Sequence, residues 1–92
     1  MEIKVIKENN IDIAIINSEH ILIKDVQSAM DLFATIEYET GCSRMIIDKS
    51  LICEEFFDLS TRLAGEILQK FINYGKKIAI IGNTIKERIY SF

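Results

Sequence analysis

Proline and tryptophan are absent from this 92-residue chain, and histidine occurs once, at His20. Without proline or a stretch rich in glycine and serine, the sequence offers no linker, repeat or low-complexity segment. Cys42 and Cys53 do not form a CxxC pair, so neither a disulfide framework nor a metal cage is predicted. We therefore expect no metal and no cofactor, and we expect the reduced thiols of a cytoplasmic protein.

Long hydrophobic runs and a strong net charge are also lacking. No apolar run approaches the roughly 18–20 residues of a membrane span, and the N-terminus has no signal-peptide pattern. The net charge is −3 and the pI is near 5.1, which argues against nucleic acid or an anionic membrane as partner. The apolar fraction of 49% is sufficient for the core of one globular domain, residues 1–92.

Four stretches of the sequence have strand character. Apolar residues alternate in EIKVIK (2–7) and IDIAIIN (11–17), and Glu8-Asn9-Asn10 between them suits a tight turn, so an antiparallel hairpin is predicted. A short extended piece around Ile21 and Ile23 follows. The runs RMIID (44–48) and KIAII (77–81) lack alternation, which predicts strands buried on both faces.

Helical spacing of apolar residues predicts two long helices between these strands. The first begins at Asp25, a good N-cap, and ends at Gly41. The second spans about 58–74, begins with Asp58 or Ser60 as its cap and ends at Gly75. Its apolar face comprises Leu63, Ile67, Leu68, Phe71 and Ile72. Gly65 interrupts it, and we expect this glycine to permit close approach to a neighbouring strand.

The order of elements predicts the fold. A last helical turn is expected from Gly82-Asn83-Thr84, because Thr84 and Glu87 are spaced as a capping box. The complete order is β-β-(β)-α-β-α-β-α. It predicts a single α/β domain with one mixed sheet, in which parallel crossovers occupy the centre and the hairpin lies towards one side.

Polar residues gather where the predicted strands end and the second helix begins. Functional groups in open α/β sheets lie beyond the carboxyl ends of parallel strands, so a candidate rim site is expected there. A helix N-terminus also favours a capping carboxylate and a phosphate alike, and capping alone would explain several of these residues. The candidate residues are Asp48, Asp58, Ser60, Thr61, Gly82 and Asn83.

The pattern IIDKS, a short connection, FFDLSTRLAGEIL and then KKIAIIG resembles the STAS domain of anti-sigma-factor antagonists and sulphate transporters. In those domains a strand that ends in Asp leads to an Asp-Ser-Ser-Gly motif at a helix start, where a partner kinase phosphorylates a serine. The resemblance implies that Asp48 and Asp58 are the two aspartates. It implies that Ser60 is the phospho-acceptor, with Thr61 as its rival. Leu59 stands where the first serine belongs, and Thr61 replaces the glycine.

The segments IKDVQSAMDLFATIEYETGCSRMIIDKS and EEFFDLSTRLAGEILQKFINYGKKIAIIG look like an uncharacterised bacterial family, the domain of unknown function numbered 4180. This resemblance covers nearly the whole chain and brings no established activity. Family members and STAS domains continue through another strand and helix, so the chain looks shortened, with an open sheet edge beside strand 77–81. That edge and the closing apolar residues Ile85, Ile89, Tyr90 and Phe92 predict a homodimer.

Three functions stay open at this point. The sequence favours a regulatory or protein-interaction domain over an enzyme, because no complete catalytic motif is present. As a nucleophile Cys53 would need a base, and no pattern brings the only histidine near it, so a buried structural thiol is predicted. The alternative is a small-molecule-binding protein or enzyme that uses the rim near Asp48, Asp58 and Ser60. A purely structural partner subunit is the third. An enclosed polar pocket at the rim would favour a ligand, and a flat surface would favour a protein partner.

Overall fold

Strands and helices alternate along the part of the chain that the structure, a computed structural model, describes: residues 1–82 and the backbone of residues 90–91. The strands are β1 (Glu2–Glu8), β2 (Ile11–Asn17), β3 (Arg44–Asp48), β4 (Lys77–Ile81) and β5 (Tyr90–Ser91). The helices are α1 (Val26–Thr40), α2 (Glu54–Phe57) and α3 (Leu63–Asn73), with single 3-10 turns at Lys49–Leu51 and Leu59–Thr61. In this described part the strands form one mixed sheet in the order β1-β2-β3-β4-β5, which confirms the predicted α/β class.

The first two strands form the predicted hairpin. β1 and β2 pair antiparallel over their full length, from Glu2 with Asn17 to Glu8 with Ile11. Asn9 and Asn10 connect them with φ values of 50° and 65°. Positive φ at both central residues is what the commonest two-residue hairpin turn requires, and asparagine adopts it at little cost.

Helix α1 connects β2 to β3, and the segment that contains α3 connects β3 to β4. All three strands are parallel, and both crossovers advance in the same direction across the sheet. Right-handed crossovers of this kind place their helices on the same face. Phe33 of α1 and Phe71 of α3 accordingly meet edge to face, with ring centroids 4.6 Å apart, inside one buried cluster.

Burial of β3 and β4 differs from the expectation. Met45 and Ile47 of β3 and Ile78 of β4 are buried under the helices, whereas Ile46 and Ala79 on the opposite face are only half-buried. The prediction of strands buried on both faces is therefore wrong. The physical reason is that α1 and α3 share one side of the sheet, and composition alone does not reveal which side a crossover takes.

The ends of α1 are those that the sequence predicts. The Asp25 carboxylate accepts a hydrogen bond from the Ser28 amide at 2.7 Å, and the Ser28 hydroxyl oxygen accepts one from the Asp25 amide at 3.0 Å, which completes a capping box. At the other end Gly41 has φ 75°, and its amide donates to the Glu37 carbonyl at 2.9 Å. This left-handed stop is the conformation for which glycine is preferred.

Two connections refine the predicted topology. The short extended piece before α1 is confirmed, since Ile23 forms a parallel bridge with Ile52. The expected open edge at β4 is wrong, because β5 pairs antiparallel with Ala79 and Ile80. The remaining C-terminal predictions fall outside the described residues; they are the helical turn with Asn83, Thr84 and Glu87, and the apolar residues Ile85, Ile89 and Phe92.

Candidate functional site

The segment between β3 and α3 is more broken than the sequence suggests. The predicted helix over 58–74 is instead the C-cap of α2 at Asp58, the 3-10 turn Leu59–Thr61, Arg62 and then α3. Arg62 separates the turn from α3 with φ 61°, a left-handed conformation that interrupts helical geometry. The predicted helix start at 58 is therefore wrong by five residues, since α3 begins at Leu63.

Asp58 caps the 3-10 turn rather than α3. One of its carboxylate oxygens accepts hydrogen bonds from the Ser60 hydroxyl at 2.7 Å and from the Ser60 amide at 3.0 Å. These two hydrogen bonds hold the pKa of Asp58 below its ordinary value of 3.8, and the bond from the Ser60 hydroxyl makes the larger contribution. Asp58 is thus a carboxylate at neutral pH, and Ser60 is exposed beside it.

Thr61 supplies the contacts that fix the break. Its hydroxyl lies 2.5 Å from the Glu55 carbonyl and 2.8 Å from the Asp58 carbonyl, to which it donates, and it accepts a bond from the Leu63 amide at 3.3 Å. The N-cap of α3 is Arg62, whose side chain makes no capping bond. Thr61 therefore ties the start of α3 to the end of α2.

An open groove of about 1000 Å³ extends from this turn along α3. Asp58, Leu59 and Arg62 line its first part, and polar residues of α3, among them Gln69 and Lys70, line the rest. Leu59 is 89% exposed although it is a large apolar residue. The groove thus combines apolar surface with both signs of charge.

Gly65 also lines this groove, and the predicted reason for it is wrong. A Cβ atom built on Gly65 would have no neighbouring heavy atom within 4 Å, so no strand approaches it closely. Ile72, predicted on the buried face, is instead 67% exposed, while Ile67 and Phe71 are buried as expected. The side of α3 that carries Gly65 faces open space in the groove.

The residues of the predicted rim occupy two places. Asp48 accepts a bond from the Ser50 amide at 2.8 Å and is the register partner of Ile81, so Asp48 and Gly82 lie at neighbouring strand ends. Asp58 shares its turn with Ser60 and Thr61 and lines the groove, whose lining includes neither Asp48 nor Gly82. Asn83 lies outside the described residues. A single rim site that unites these residues stays a prediction.

Sequence reasoning missed Leu59 and Arg62. Leu59 is four residues before Leu63, so helical periodicity assigns it to the buried face of the predicted helix. The break at Arg62 places it in solvent instead. The break depends on a hydrogen bond from the Thr61 hydroxyl to the Glu55 carbonyl, six residues earlier, and no local pattern in the sequence indicates such a contact.

The other chemically distinctive residues have structural roles. Cys53 is buried, which raises the pKa of its thiol, and its sulphur contacts the Lys24 carbonyl at 3.5 Å. The predicted burial of the Cys53 thiol is thus confirmed. Among the residues that the structure describes, no three His, Cys, Asp or Glu side chains form a group that could hold a metal ion. The helices of this part are also too short or too polar to cross a bilayer.

Comparisons with known proteins identify a family. No curated protein and no solved structure matches the chain, so the resemblance to STAS domains stays a prediction. One family model does match, over residues 8–91, which is nearly the whole sequence. The chain therefore belongs to the family described as Domain of unknown function (DUF4180), as its sequence resemblance predicts.

Proposed function

We propose that this protein is a regulatory domain that binds a partner protein along the groove beside α3, and that phosphorylation of Ser60 controls this binding. The observation that carries the proposal is the position of Leu59. It is 89% exposed, it lines the groove, and it directly precedes Ser60. Leu59 continues the apolar lining that Val26 and Ala64 provide, and a contiguous apolar patch rimmed by polar residues is a feature of protein-interaction sites.

The groove supports a protein partner better than an enclosed ligand. Leu59, Val26 and Ala64 provide apolar lining, and Arg62 and Lys70 provide positive charge next to the carboxylates of Asp58 and Glu66. Apolar anchors surrounded by mixed charge are common at protein interfaces. Gly65 leaves the middle of the groove open, which gives a partner side chain space to lie close to the helix backbone.

Ser60 is better placed than Thr61 to accept phosphate. The Ser60 hydroxyl is exposed and makes its contact with the Asp58 carboxylate. The Thr61 hydroxyl contacts the Glu55 and Asp58 carbonyls and the Leu63 amide, so a phosphate on it would remove bonds that join α2 to α3. Modification of Ser60 therefore leaves the fold intact, and modification of Thr61 does not.

Phosphate on Ser60 would alter the groove through charge. A partner kinase would transfer the γ-phosphoryl group of a nucleoside triphosphate to the Ser60 oxygen, releasing the hydroxyl proton and a nucleoside diphosphate. The product carries about −1.5 to −2 charge where Asp58 previously accepted a hydrogen bond. Repulsion from Asp58 and attraction to Arg62 would shift Ser60 and the adjacent Leu59 relative to the groove, while the Thr61 contacts keep α2 joined to α3.

Binding is tested by co-purification from the source cell with wild type, Leu59→Ser and Ile72→Ser. Ile72 is the matched control, because it is an exposed aliphatic residue of α3 that does not line the groove. A partner protein retained by Ile72→Ser and lost by Leu59→Ser is the expected result. Equal retention of the partner by both variants, or co-purification of a small molecule instead of a protein, would contradict the proposal.

Regulation is tested separately by mass spectrometry of protein from its native host. We expect phosphate on Ser60 and a changed partner affinity in Ser60→Asp. If both Ser60 and Thr61 are consistently unmodified, and Ser60→Ala/Thr61→Ala binds the partner as wild type does, phosphate control is excluded while the binding result stands.

A further inference from the structure

The sheet face opposite the helices is apolar. Side chains alternate between the two faces of a strand, so in β2, β3 and β4 the residues between the buried positions point away from α1 and α3. Ile6 of β1 shares this face because it is the register partner of Ile13. We define this open face by its half-buried apolar residues: Ile6, Ile13, Ile15, Ile46, Ala79 and Ile81. Ile15, Ile46 and Ala79 are register partners and form a continuous apolar row across three strands.

An apolar face of this kind normally has a covering layer. Parallel strands are found almost entirely in sheets with both faces covered. Here β2, β3 and β4 are parallel, and the described helices that pack on them do so from the opposite side. The row of Ile15, Ile46 and Ala79 is therefore as apolar as a sheet face that another element covers.

The charged residues at the two ends of the open face indicate what kind of partner would cover it. Arg44 and Lys77 are register partners and form a positive end of the open face, whereas Asp48 lies at the other end of β3. Arg44 and Asp48 are four residues apart in β3, which corresponds to roughly 13 Å along the strand. Within the described part of the chain Arg44 has no ion-pair partner. The face thus carries opposite charges on either side of an apolar centre.

We propose that a second copy of this chain covers the open face, packed sheet to sheet about a twofold axis that crosses the strands near Ile46. In this arrangement the strands of the two copies are antiparallel. Arg44 of each copy then lies against Asp48 of the other, and the two Ile46 side chains meet at the centre. Two sheets pack in this way about 10 Å apart.

The opposite orientation is disfavoured by the same charges. If the strands of the two copies were parallel, the twofold axis would run along the strands, and an axis along β3 would place Arg44 against its own equivalent. Like charges in contact destabilise an interface. The antiparallel dimer uses a surface other than the groove along α3, so it is independent of the proposed partner binding. Residues of the two sites do not overlap.

The first test is sedimentation equilibrium from micromolar to submillimolar concentration. Wild type should approach twice the 10.6 kDa chain mass, and Ile46→Glu should stay at one chain mass, because it places two carboxylates against each other at the centre. Ile72→Glu, an exposed control on α3, should behave as wild type. A monomeric wild type, or an undiminished dimer in Ile46→Glu, would overturn the proposal.

The second test fixes the orientation and does not depend on Ile46→Glu folding well. Arg44→Asp places a carboxylate at both ends of β3, and Asp48→Arg places a guanidinium group at both ends, so each variant alone should self-associate less than wild type. An equimolar mixture should form a heterodimer. Circular dichroism verifies that both variants fold, since Asp48 also caps the turn Lys49–Leu51. Undiminished self-association of both variants, or no heterodimer in the mixture, would refute the antiparallel arrangement.

Discussion

The starts of α1 and α3 use the same residue types and reach different structures. At α1, Asp25 and Ser28 exchange two hydrogen bonds, and the helix continues directly from them. Before α3, the Asp58 carboxylate accepts both bonds from Ser60 within a separate turn, and α3 begins only after the left-handed Arg62. The spacing differs by one residue. A serine three positions after the aspartate completes a capping box. A serine two positions after it donates both of its hydrogen bonds to that aspartate and forms a separate turn.

The difference indicates which of the two starts is free for another role. The Ser28 hydroxyl is occupied by the Lys24 and Asp25 amides, to which it is an acceptor, so its removal would cost helix stability. Among the described residues the Ser60 hydroxyl contacts the Asp58 carboxylate alone, and the N-cap of α3 is Arg62 rather than Ser60. The proposed phosphorylation of Ser60 would therefore leave the start of α3 in place.

The largest expected effect tests whether the two helices are packed equally well despite their different starts. Phe33→Ala and Phe71→Ala should each reduce the free energy of unfolding by about 3–5 kcal/mol, because both rings are buried. The double variant should show a coupling of about 0.5–1.5 kcal/mol from the edge-to-face contact. Urea denaturation monitored by circular dichroism measures all three. Strictly additive losses would mean that the ring contact adds nothing beyond burial.

A smaller effect is expected from Gly65, the weak position within α3. Gly65→Ala should raise the free energy of unfolding by about 1 kcal/mol, since alanine is the better helix former and open space surrounds the new methyl group. The same substitution narrows the groove and should weaken partner binding. Lys70→Ala, a groove residue with similar helix propensity to alanine, is the control for stability. A destabilised Gly65→Ala would show that the space is filled.

The two aspartates allow a direct comparison of the two starts. Asp25→Ala should lower the urea midpoint more than Asp58→Ala, because Asp25 caps a 15-residue helix and Asp58 caps a three-residue turn. Asp25→Asn and Asp58→Asn are the matched controls, since asparagine keeps an acceptor oxygen. Equal midpoints for the two alanine variants would mean that the turn before α3 supports the fold as much as the capping box does.

The smallest expected effect is a change of pKa. Hydrogen bonds from Ser60 lower the pKa of Asp58, and bonds from Ser28 lower that of Asp25. A depressed folded-state pKa contributes stability above the ordinary value of 3.8 and loses it as the pH falls through the folded value. Ser60→Ala should raise the pKa of Asp58 and leave that of Asp25 unchanged, as measured by NMR titration. A shift at both aspartates would indicate a global rearrangement.

The sequence predicts those parts of the fold that local contacts decide. The Asn9-Asn10 turn and the Asp25 cap depend on residues at most three apart, and both are confirmed. The start of α3 depends on Thr61 reaching back six residues to Glu55, so periodicity could not reveal it. One-sided burial of Ile46 depends on where two crossovers place their helices. Asp58 and Ser60 could be proposed as neighbours, but the exposed Leu59 between them could not.

The left-handed Arg62 has a consequence for limited proteolysis. It is an exposed arginine at the junction of two helical elements, and exposed loop positions are preferred sites of proteolytic cleavage. Trypsin cleaves after arginine, so the Arg62–Leu63 bond lies where a brief digestion would cut. Arg62 also lines the groove, and an occupant of the groove would shield that bond. The rate of this single cut would therefore report, without any label, whether the groove is filled.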